Sequence, residues 1–525
     1  MSEAPPQFYV TTPIYYVNDE PHVGHAYCTV LADTLARFHR LFGEETRFLT
    51  GTDEHGQKVQ QAAEARGVDP QTHTDEMAER FRAVWRRLWI SNDDFIRTTE
   101  PRHKAVVQRV LNELYEKGEI YKERYEGLYC VPDERFWTEK DVVDGKCPAC
   151  GRPVVPITEE NYFFRMGKYQ EWLIGHIQAN PEFLQPETRR NEVLGFLKKP
   201  LGDLCISRPA ARLRWGIPLP FDPDYVTYVW FDALINYYSA VEGLSSASGP
   251  WWPASMHLIG KDILTTHSVY WSTMLRAAGL PLPRTILAHG WWLVGETKMG
   301  KSLGNAVKPL DLLDTYGVDA FRYFLMRDMV VGQDSEFTEE ALIGRINSDL
   351  ANDLGNCLNR VERMIQNYAE AKVPAMAETT AVDEELIARA RATVTSAVAS
   401  AREVKLHQAI EDTFQLVRAV NKYLEVKAPW KAAKEPGQPG VATTLYLSAE
   451  ALRIAGLLLS PVMPGKCGEL LHRLGVLDRA DLLVARGLEG SADSTIGARE
   501  VGVGRTRARH PAASGRPLFP RIETA

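Results

Sequence analysis

The sequence predicts an α/β fold: a doubly wound parallel sheet, split by an insertion and followed by an all-helical region. Two observations predict the sheet. Short β-prone runs alternate with amphipathic helices near the N-terminus, and the same rhythm returns after residue 256. A third observation, long amphipathic helices after about residue 340, predicts the helical region. The chain has 525 residues, enough for three or four domains. Hydrophobic residues make up 45% and charged residues 25%, an ordinary globular mixture. Lys and Arg number 61 against 68 Asp and Glu, a net charge of −7. That balance excludes a histone-like protein but not a nucleic-acid partner, which needs only a local basic stripe. No apolar run approaches the roughly 18 residues of a membrane span. The opening MSEAPPQFYV lacks the basic start and apolar core of a signal peptide. Seven cysteines are too few and too scattered for a disulfide framework. A cytoplasmic chain with no membrane partner is expected.

Element by element, Phe8–Thr12 is a β-prone run, and Pro13 and Pro21 bracket the loop after it. A helix is expected from about His25, with Val30, Leu31, Leu35, Phe38 and Leu41 on its apolar face and Gly43 at its end. A second strand, Arg47–Thr50, runs into Gly51-Thr52-Asp53-Glu54-His55-Gly56. Parallel doubly wound sheets bind ligands beyond the carboxyl ends of such strands, so the loops bearing His22 and Asp53 are expected to face one crevice. From about Glu119 to Tyr225 the rhythm breaks into clustered Cys, Pro and aromatic residues. It resumes with a strand at Met256–Ile259, a helix over Ile263–Ala278 and a strand at Thr285–Ala288. In the helical region Leu350, Leu354, Leu358 and Val361 form one stripe, and Ala390, Val394, Ala397, Val398 and Ala401 another. Lys434–Gly440 is a hinge or loop, and Val484–Gly515 has the composition of a poorly ordered segment.

Two motifs carry the chemistry. His22-Val23-Gly24-His25 lies between strand and helix, where two imidazoles share the face of a helix start that favours anions. Glycine between them lets a flat base approach the backbone. About 275 residues later, Lys298-Met299-Gly300-Lys301-Ser302 puts two ammonium groups in a glycine-containing loop, suited to a triphosphate and to departing pyrophosphate. Either motif alone also fits a solvated surface; together on one inferred sheet they point to nucleotide activation.

The pair resembles the two signatures of class I aminoacyl-tRNA synthetases, and the chain to about Leu474 resembles the methionyl-tRNA synthetase family. That family usually has Ser where Gly300 stands, a departure that leaves both lysines in place and is expected to loosen the loop. The resemblance implies a split Rossmann-like sheet with an inserted connective, zinc-knuckle-bearing domain, then an α-helical anticodon-binding bundle. It implies domains at 1–118, 119–225, 226–345 and 346–480, with a flexible tail at 481–525. It implies ATP binding by His22, Gly24, His25, Asp262, Lys298, Lys301 and Ser302, with the two histidines and two lysines catalytic. A methionine pocket would be lined by Ile14, Tyr16, Asp53, Trp230, Ala233, Leu234, Tyr237 and His267, with His267 and Trp271 supplying one wall and Asp53 on the substrate ammonium. Thioethers pack well against aromatic edges, which suits such a lining. Arg208 and Asp262 would support activation. Asn356, Arg360 and Trp430 match anticodon-reading positions, where amide and guanidinium can bond base edges and an indole can stack.

Cys147-Pro148-Ala149-Cys150 is a C-x₂-C knuckle, and Cys130-Val131-Pro132-Asp133 would be a second one if Asp133 were Cys. Related synthetases hold a structural zinc here, and three thiolates with one carboxylate suit tetrahedral zinc. Cys28, Cys205, Cys357 and Cys467 are expected to be buried small hydrophobes. The implied activity is methionyl-adenylate formation from ATP, with Mg²⁺, and L-methionine, then transfer to initiator and elongator tRNA(Met). A monomer is expected, because the chain lacks the appended domain through which some relatives dimerise. Alternatives using the same motifs are a small-molecule nucleotidyltransferase, a cysteine ligase, and an RNA-binding protein without catalysis.

Overall fold

The computed structural model describes residues 5–18, 20–130, 135–137, 142, 144–148, 151–295, 297–298, 307–434, 440–477 and 517–523. The chain forms two compact units that do not follow sequence order. The first takes Met1–Pro21, Arg47–Ala83 and Asn92–His289; the second takes His22–Thr46, Val84–Ser91 and Gly290–Ala525.

At the centre of the first unit is a six-stranded sheet ordered Asp94–Arg97, Glu45–Asp53, Gln7–Tyr16, Met256–Gly260, Thr285–His289, Leu184–Gln185. Val10 pairs in parallel with Met256, and Met256 in turn with Thr285. The two β-rich stretches of the sequence are therefore halves of one sheet. Its four inner strands are largely buried on both faces, as parallel sheets require. The insertion contributes a four-stranded antiparallel sheet built on a long hairpin, Ile120–Cys130 against Val155–Phe164. It also returns a strand to the main sheet: Leu184–Gln185 pairs in parallel beside Ile286 and Leu287. Two residues are too short a run to show periodicity, so this edge strand is invisible in the sequence.

The helix expected over Ile263–Ala278 is three pieces: a 3₁₀ turn Lys261–Ile263, a π-helical stretch Thr266–Trp271, and an α-helix Ser272–Ala278. Gly279 closes it in the left-handed conformation at φ 77°. Widened turns of this kind gather at functional sites, and His267 lies inside this one.

The second unit opens with the Val23–Leu41 helix and continues through Pro309–Tyr316, Val318–Arg327 and Glu339–Arg345 into the π-helical Ile346–Gly355 and the helix Asn356–Tyr368. Ala381–Arg402, Leu406–Lys427, Gly440–Leu459 and Pro464–Arg473 complete the bundle. Gly440–Leu459 corrects the expectation about apolar length. It is long and apolar enough to cross a membrane, yet 83% of its apolar window is buried inside the fold, and Glu450 and Arg453 pair within it at 2.8 Å. It is the central helix of the bundle. The expected disorder at 484–515 lies outside the described residues. Residues 517–523, expected within a flexible tail, are instead docked. Leu518 and Phe519 are buried, and Ile522 exchanges two hydrogen bonds with the Asn347 amide at 2.8 and 2.9 Å.

The Pro464–Arg473 helix is capped from outside its own sequence. Both oxygens of Asp319 accept from its first amides, Gly465 at 3.1 Å and Lys466 at 2.8 Å. A side chain on Gly465 would collide with the Trp89 ring at 2.5 Å, so this close approach requires glycine. Burial pushes the Asp319 carboxyl up to about 6, against the pull of Arg322 and the two amides. An unfolded Asp titrates near pH 4, so between roughly pH 4 and 6 the folded state binds more protons. The contribution of this group to stability should therefore fall as pH rises through that window and stay level above it. The unfolding free energy of the parent minus that of Asp319→Asn, measured by urea titration at several pH values, should decline from pH 4 to 6. A difference that is flat from pH 4 to 7 would refute this assignment.

Candidate functional site

In the second unit, His22 stands at the head of the Val23–Leu41 helix in extended conformation. Its Nδ1 accepts from the Gly24 amide at 3.0 Å, and its own amide donates to Nδ1 of His25 at 3.3 Å. The two imidazoles thus form a reciprocal cap, with rings stacked 3.8 Å apart. Because each Nδ1 accepts, each neutral ring must carry its proton on Nε2. Two N–H donors at a helix N-terminus form an arrangement for an anionic ligand. A Cβ on Gly24 would come within 2.9 Å of the His22 ring, so the glycine serves the cap as well as any approaching base. The amide of Val23 donates to the carbonyl of Val307 at 3.2 Å, tying the helix start to the chain just beyond the lysine motif. Lys298 lies in a short strand paired to Leu293. Met299, Gly300, Lys301 and Ser302 lie outside the described residues.

The expected amino-acid pocket lies in the first unit. Ile14 and Tyr16 end one central strand and Asp53 ends its neighbour. Trp230, Ala233 and Leu234 come from the helix Val229–Leu234, Tyr237 from the turn after it, and His267 from the widened helix. Ile14, Tyr16 and Trp230 are half-buried against the core, whereas Tyr237 and His267 are buried. Polarity here is fixed by a chain of donors. His267 Nδ1 can only donate to the Ile263 carbonyl at 2.9 Å, so its Nε2 accepts from the Tyr237 hydroxyl at 2.7 Å. Burial lowers the His267 pKa to about 4 and keeps the ring neutral. Behind it, Trp271 Nε1 donates to His257 Nε2 at 3.2 Å, and His257 Nδ1 donates to Thr11 at 2.8 Å. Burial also drives the His257 pKa well down. The wall is therefore aromatic, hydrogen-bonded and uncharged.

Sequence reasoning missed the support beneath this wall. Asp232, on the helix that carries Trp230 and Ala233, is fully buried and accepts from His55 Nδ1 at 2.6 Å and His103 Nε2 at 2.8 Å. Burial raises its carboxyl, but the two imidazoles outweigh burial and hold it at about 2. His55 lies two residues beyond Asp53, and its carbonyl accepts from Tyr16 at 3.0 Å. Strand end, pocket helix and Tyr16 are thereby bound together. The only signal in the sequence was His55 inside the Gly51–Gly56 segment.

Arg208 is buried beneath the rings of Tyr129 and Tyr228, at 5.0 and 4.6 Å, with Nη1 donating to the Ser207 carbonyl at 2.7 Å. Asp262 is exposed at the end of the Met256–Gly260 strand, in the 3₁₀ turn. In the insertion, Cys130 and Cys147 are both buried. Gly151 donates to the Cys147 carbonyl at 2.8 Å, and Cys147 donates to Arg152 at 2.8 Å, the tight turn a metal knuckle uses. Asp133 and Cys150 lie outside the described residues, and no cluster of three metal donors occurs among the described ones. The buried sulfurs and the turn fit a zinc knuckle as far as the chain is described.

Asn356 and Arg360 share the first turns of one helix in the second unit, and the Arg360 guanidinium stacks 5.0 Å from the Trp430 ring. They flank a depression of about 460 Å³. Ala428, left-handed at φ 41°, turns the chain into Pro429-Trp430 and presents the indole there.

A family profile described as "tRNA synthetases class I (M)" matches residues 8–154 and 151–362, and one described as "Anticodon binding domain of methionyl tRNA ligase" matches 373–483. The methionine–tRNA ligase of Caldanaerobacter subterraneus subsp. tengcongensis is 46% identical over 90% of this chain and 74% of its own length. That of Bacillus subtilis is 42% identical over 98% of this chain and 78% of its own length. Among solved structures, Mycobacterium tuberculosis methionyl-tRNA synthetase bound by methionyl-adenylate matches with a TM-score of 0.90 at 40% identity, covering 98% of this chain and 100% of that one. The chain belongs to the methionyl-tRNA synthetase family of class I aminoacyl-tRNA synthetases.

Proposed function

We propose that this chain joins L-methionine to tRNA(Met) in two steps, and that the uncharged aromatic wall above Asp53 is the observation that carries the reading. First, a methionine carboxylate oxygen attacks the α-phosphorus of ATP, giving methionyl-adenylate and releasing pyrophosphate. Then a hydroxyl of the terminal ribose of the tRNA attacks the carbonyl carbon, and AMP leaves. A thioether side chain needs a wall without charge, and a neutral Tyr237–His267 pair beside Trp230 and Ile14 supplies one. Asp53 takes the ammonium in a charge-assisted hydrogen bond. His22 and His25 donate Nε2–H to ATP phosphate oxygens, with Gly24 between them. Lys298 and Lys301 neutralise the charge that develops on pyrophosphate, with Ser302 and Asp262 as further ATP contacts. Arg208 and Asp262 support activation. The nucleotidyltransferase and cysteine-ligase alternatives are set aside, because residues 373–483 match an anticodon-binding profile.

Asn356, Arg360 and Trp430 read the anticodon of tRNA(Met), initiator and elongator. Mg²⁺ accompanies ATP. Cys130, Asp133, Cys147 and Cys150 would hold a structural zinc, which would fix the knuckle and take no part in the chemistry. The enzyme works as a monomer in the cytoplasm.

Methionine-dependent exchange of pyrophosphate into ATP tests the whole reading. Lys301→Ala should lower kcat by on the order of 10²–10³ and raise KM less, because the ammonium acts on charge present only in the transition state. An unchanged kcat with a weakened KM for ATP would remove Lys301 from that role. Asp53→Asn should raise the KM for methionine about tenfold while a methionine analogue lacking the amine binds as before. Equal weakening of both ligands would make Asp53 a scaffold residue. Elemental analysis of protein made in zinc-supplemented medium should find about one zinc per chain. Less than about a tenth of an equivalent would mean that Asp133 has ended metal binding.

A further inference from the structure

The depression beside Trp430 is lined by Asn356, Asn359, Arg360, Arg363, Met364 and Trp430. One of these side chains has its orientation imposed from below. The Oδ1 atom of Asn359 accepts a hydrogen bond of 2.7 Å from Nη2 of Arg473. Arg473 is 1% exposed and is itself gripped by Glu362, Nε to Oε1 at 2.8 Å and Nη2 to Oε2. Glu362 stands three residues from Asn359 on the same helix and is also buried. A guanidinium has donors only, so the atom of Asn359 turned toward it has to be the carbonyl oxygen. A flipped amide would set N–H against N–H at a part-buried contact, which costs a hydrogen bond and adds a repulsion. The polar atom left for the depression is the amide nitrogen.

This fixes the sense of the site. Asn359 offers an N–H₂ group, and the Arg360 and Arg363 guanidinium groups are donors too. Asn356 is exposed and its amide can turn either way. Glu425 lies 3.9 Å from Arg360 with its side chain 70% exposed and is not among the lining residues. Base edges differ in this respect. Cytosine presents O2 and N3, and guanine O6 and N7, as adjacent acceptors, whereas uracil and adenine interleave a donor with their acceptors.

We infer that Asn359 is a further base-reading residue that donates to a base edge with adjacent acceptors, and that the Arg473–Glu362 pair is the positioning device that keeps its amide turned that way. The inference rests on the reading of this depression as the anticodon site.

An isosteric change separates it from a structural role. In Asn359→Asp one oxygen can stay on Arg473 while the other replaces the N–H₂ group, so the contact with Arg473 survives and the outward donor becomes an acceptor. Charging of tRNA relative to pyrophosphate exchange on the same preparation should fall in the order Asn, Ala, Asp. The Asp variant should lose at least about tenfold, the scale of one mispaired base contact. A residue that only braces Arg473 predicts that the two variants change places, with Asp near the parent and Ala worst, and that result overturns the inference. Loss of exchange in parallel with charging overturns it as well. Trp430→Ala serves as the reference. If it impairs charging while Asn359→Asp charges like the parent, the inference fails and the anticodon reading stands. If Trp430→Ala charges like the parent, the anticodon reading fails and takes the inference with it.

Discussion

One buried guanidinium organises the second unit. Arg322 donates Nε to the Val462 carbonyl at 2.9 Å, Nη1 to Leu88 at 3.0 Å, and Nη2 to Pro461 at 3.0 Å and to the Asp33 carboxylate at 2.6 Å. Asp33 also accepts from Arg37 at 2.8 Å and from the Ser91 amide and hydroxyl at 2.6 Å each. Charges this deep are tolerated only when their donors and acceptors are met, and breaking such a pair leaves an uncompensated ion, at a cost of about 3–5 kcal/mol. Four stretches far apart in sequence meet at this one residue. That is why the Val23–Leu41 helix and the Val84–Ser91 segment group with the C-terminal half, although their chain neighbours lie in the other unit. The helix that starts at His22 and His25 therefore takes its position from residues 322, 461 and 462.

The amino-acid pocket obeys the opposite rule. The second unit is knitted by paired charges, whereas the pocket wall is kept free of them. His257 and His267 are each committed to one tautomer by a partner that can only donate or only accept, and burial keeps both neutral. The Asp232 carboxylate beneath the wall is enclosed by His55 and His103. With the polar atoms of His257, His267, Tyr237 and Trp271 turned to one another and to the backbone, this part of the wall presents ring faces and edges, which gives a hydrophobic ligand a fixed shape to match.

What was legible in the sequence followed from locality. His22, Gly24 and His25 lie within four residues, so their spacing grouped them, and Trp230, Ala233, Leu234 and Tyr237 lie within eight, short enough for a family resemblance to carry them over together. The amphipathic stripes announced the bundle for the same reason. Asp232 with His55 and His103, Asp319 above Gly465, and Arg473 beneath Asn359 could not be found that way. Each is a contact between residues more than a hundred positions apart, set by packing and not by any period. The apolar helix Gly440–Leu459 and the docked Pro517–Glu523 segment show the complementary limit, because composition does not say what will cover a segment.

The central pairing of the first sheet has a consequence for biosynthesis. Val10 lies beside Met256 in the finished sheet, and Tyr9 donates its hydroxyl hydrogen to the Tyr237 carbonyl at 2.9 Å. At roughly 5–20 residues per second, a ribosome takes about 12–50 seconds to synthesise the chain between those partners. Throughout that interval the N-terminal strands have no neighbour on one edge, and an unpaired apolar edge is a template for wrong association. The insertion hairpin, whose strands are joined by local chain, can close long before the sheet that carries it. Nascent chains of this protein therefore pass through a long stage in which the insertion can already be folded while half of the nucleotide-binding sheet waits for its other half, a stage at which chaperones have the most to protect.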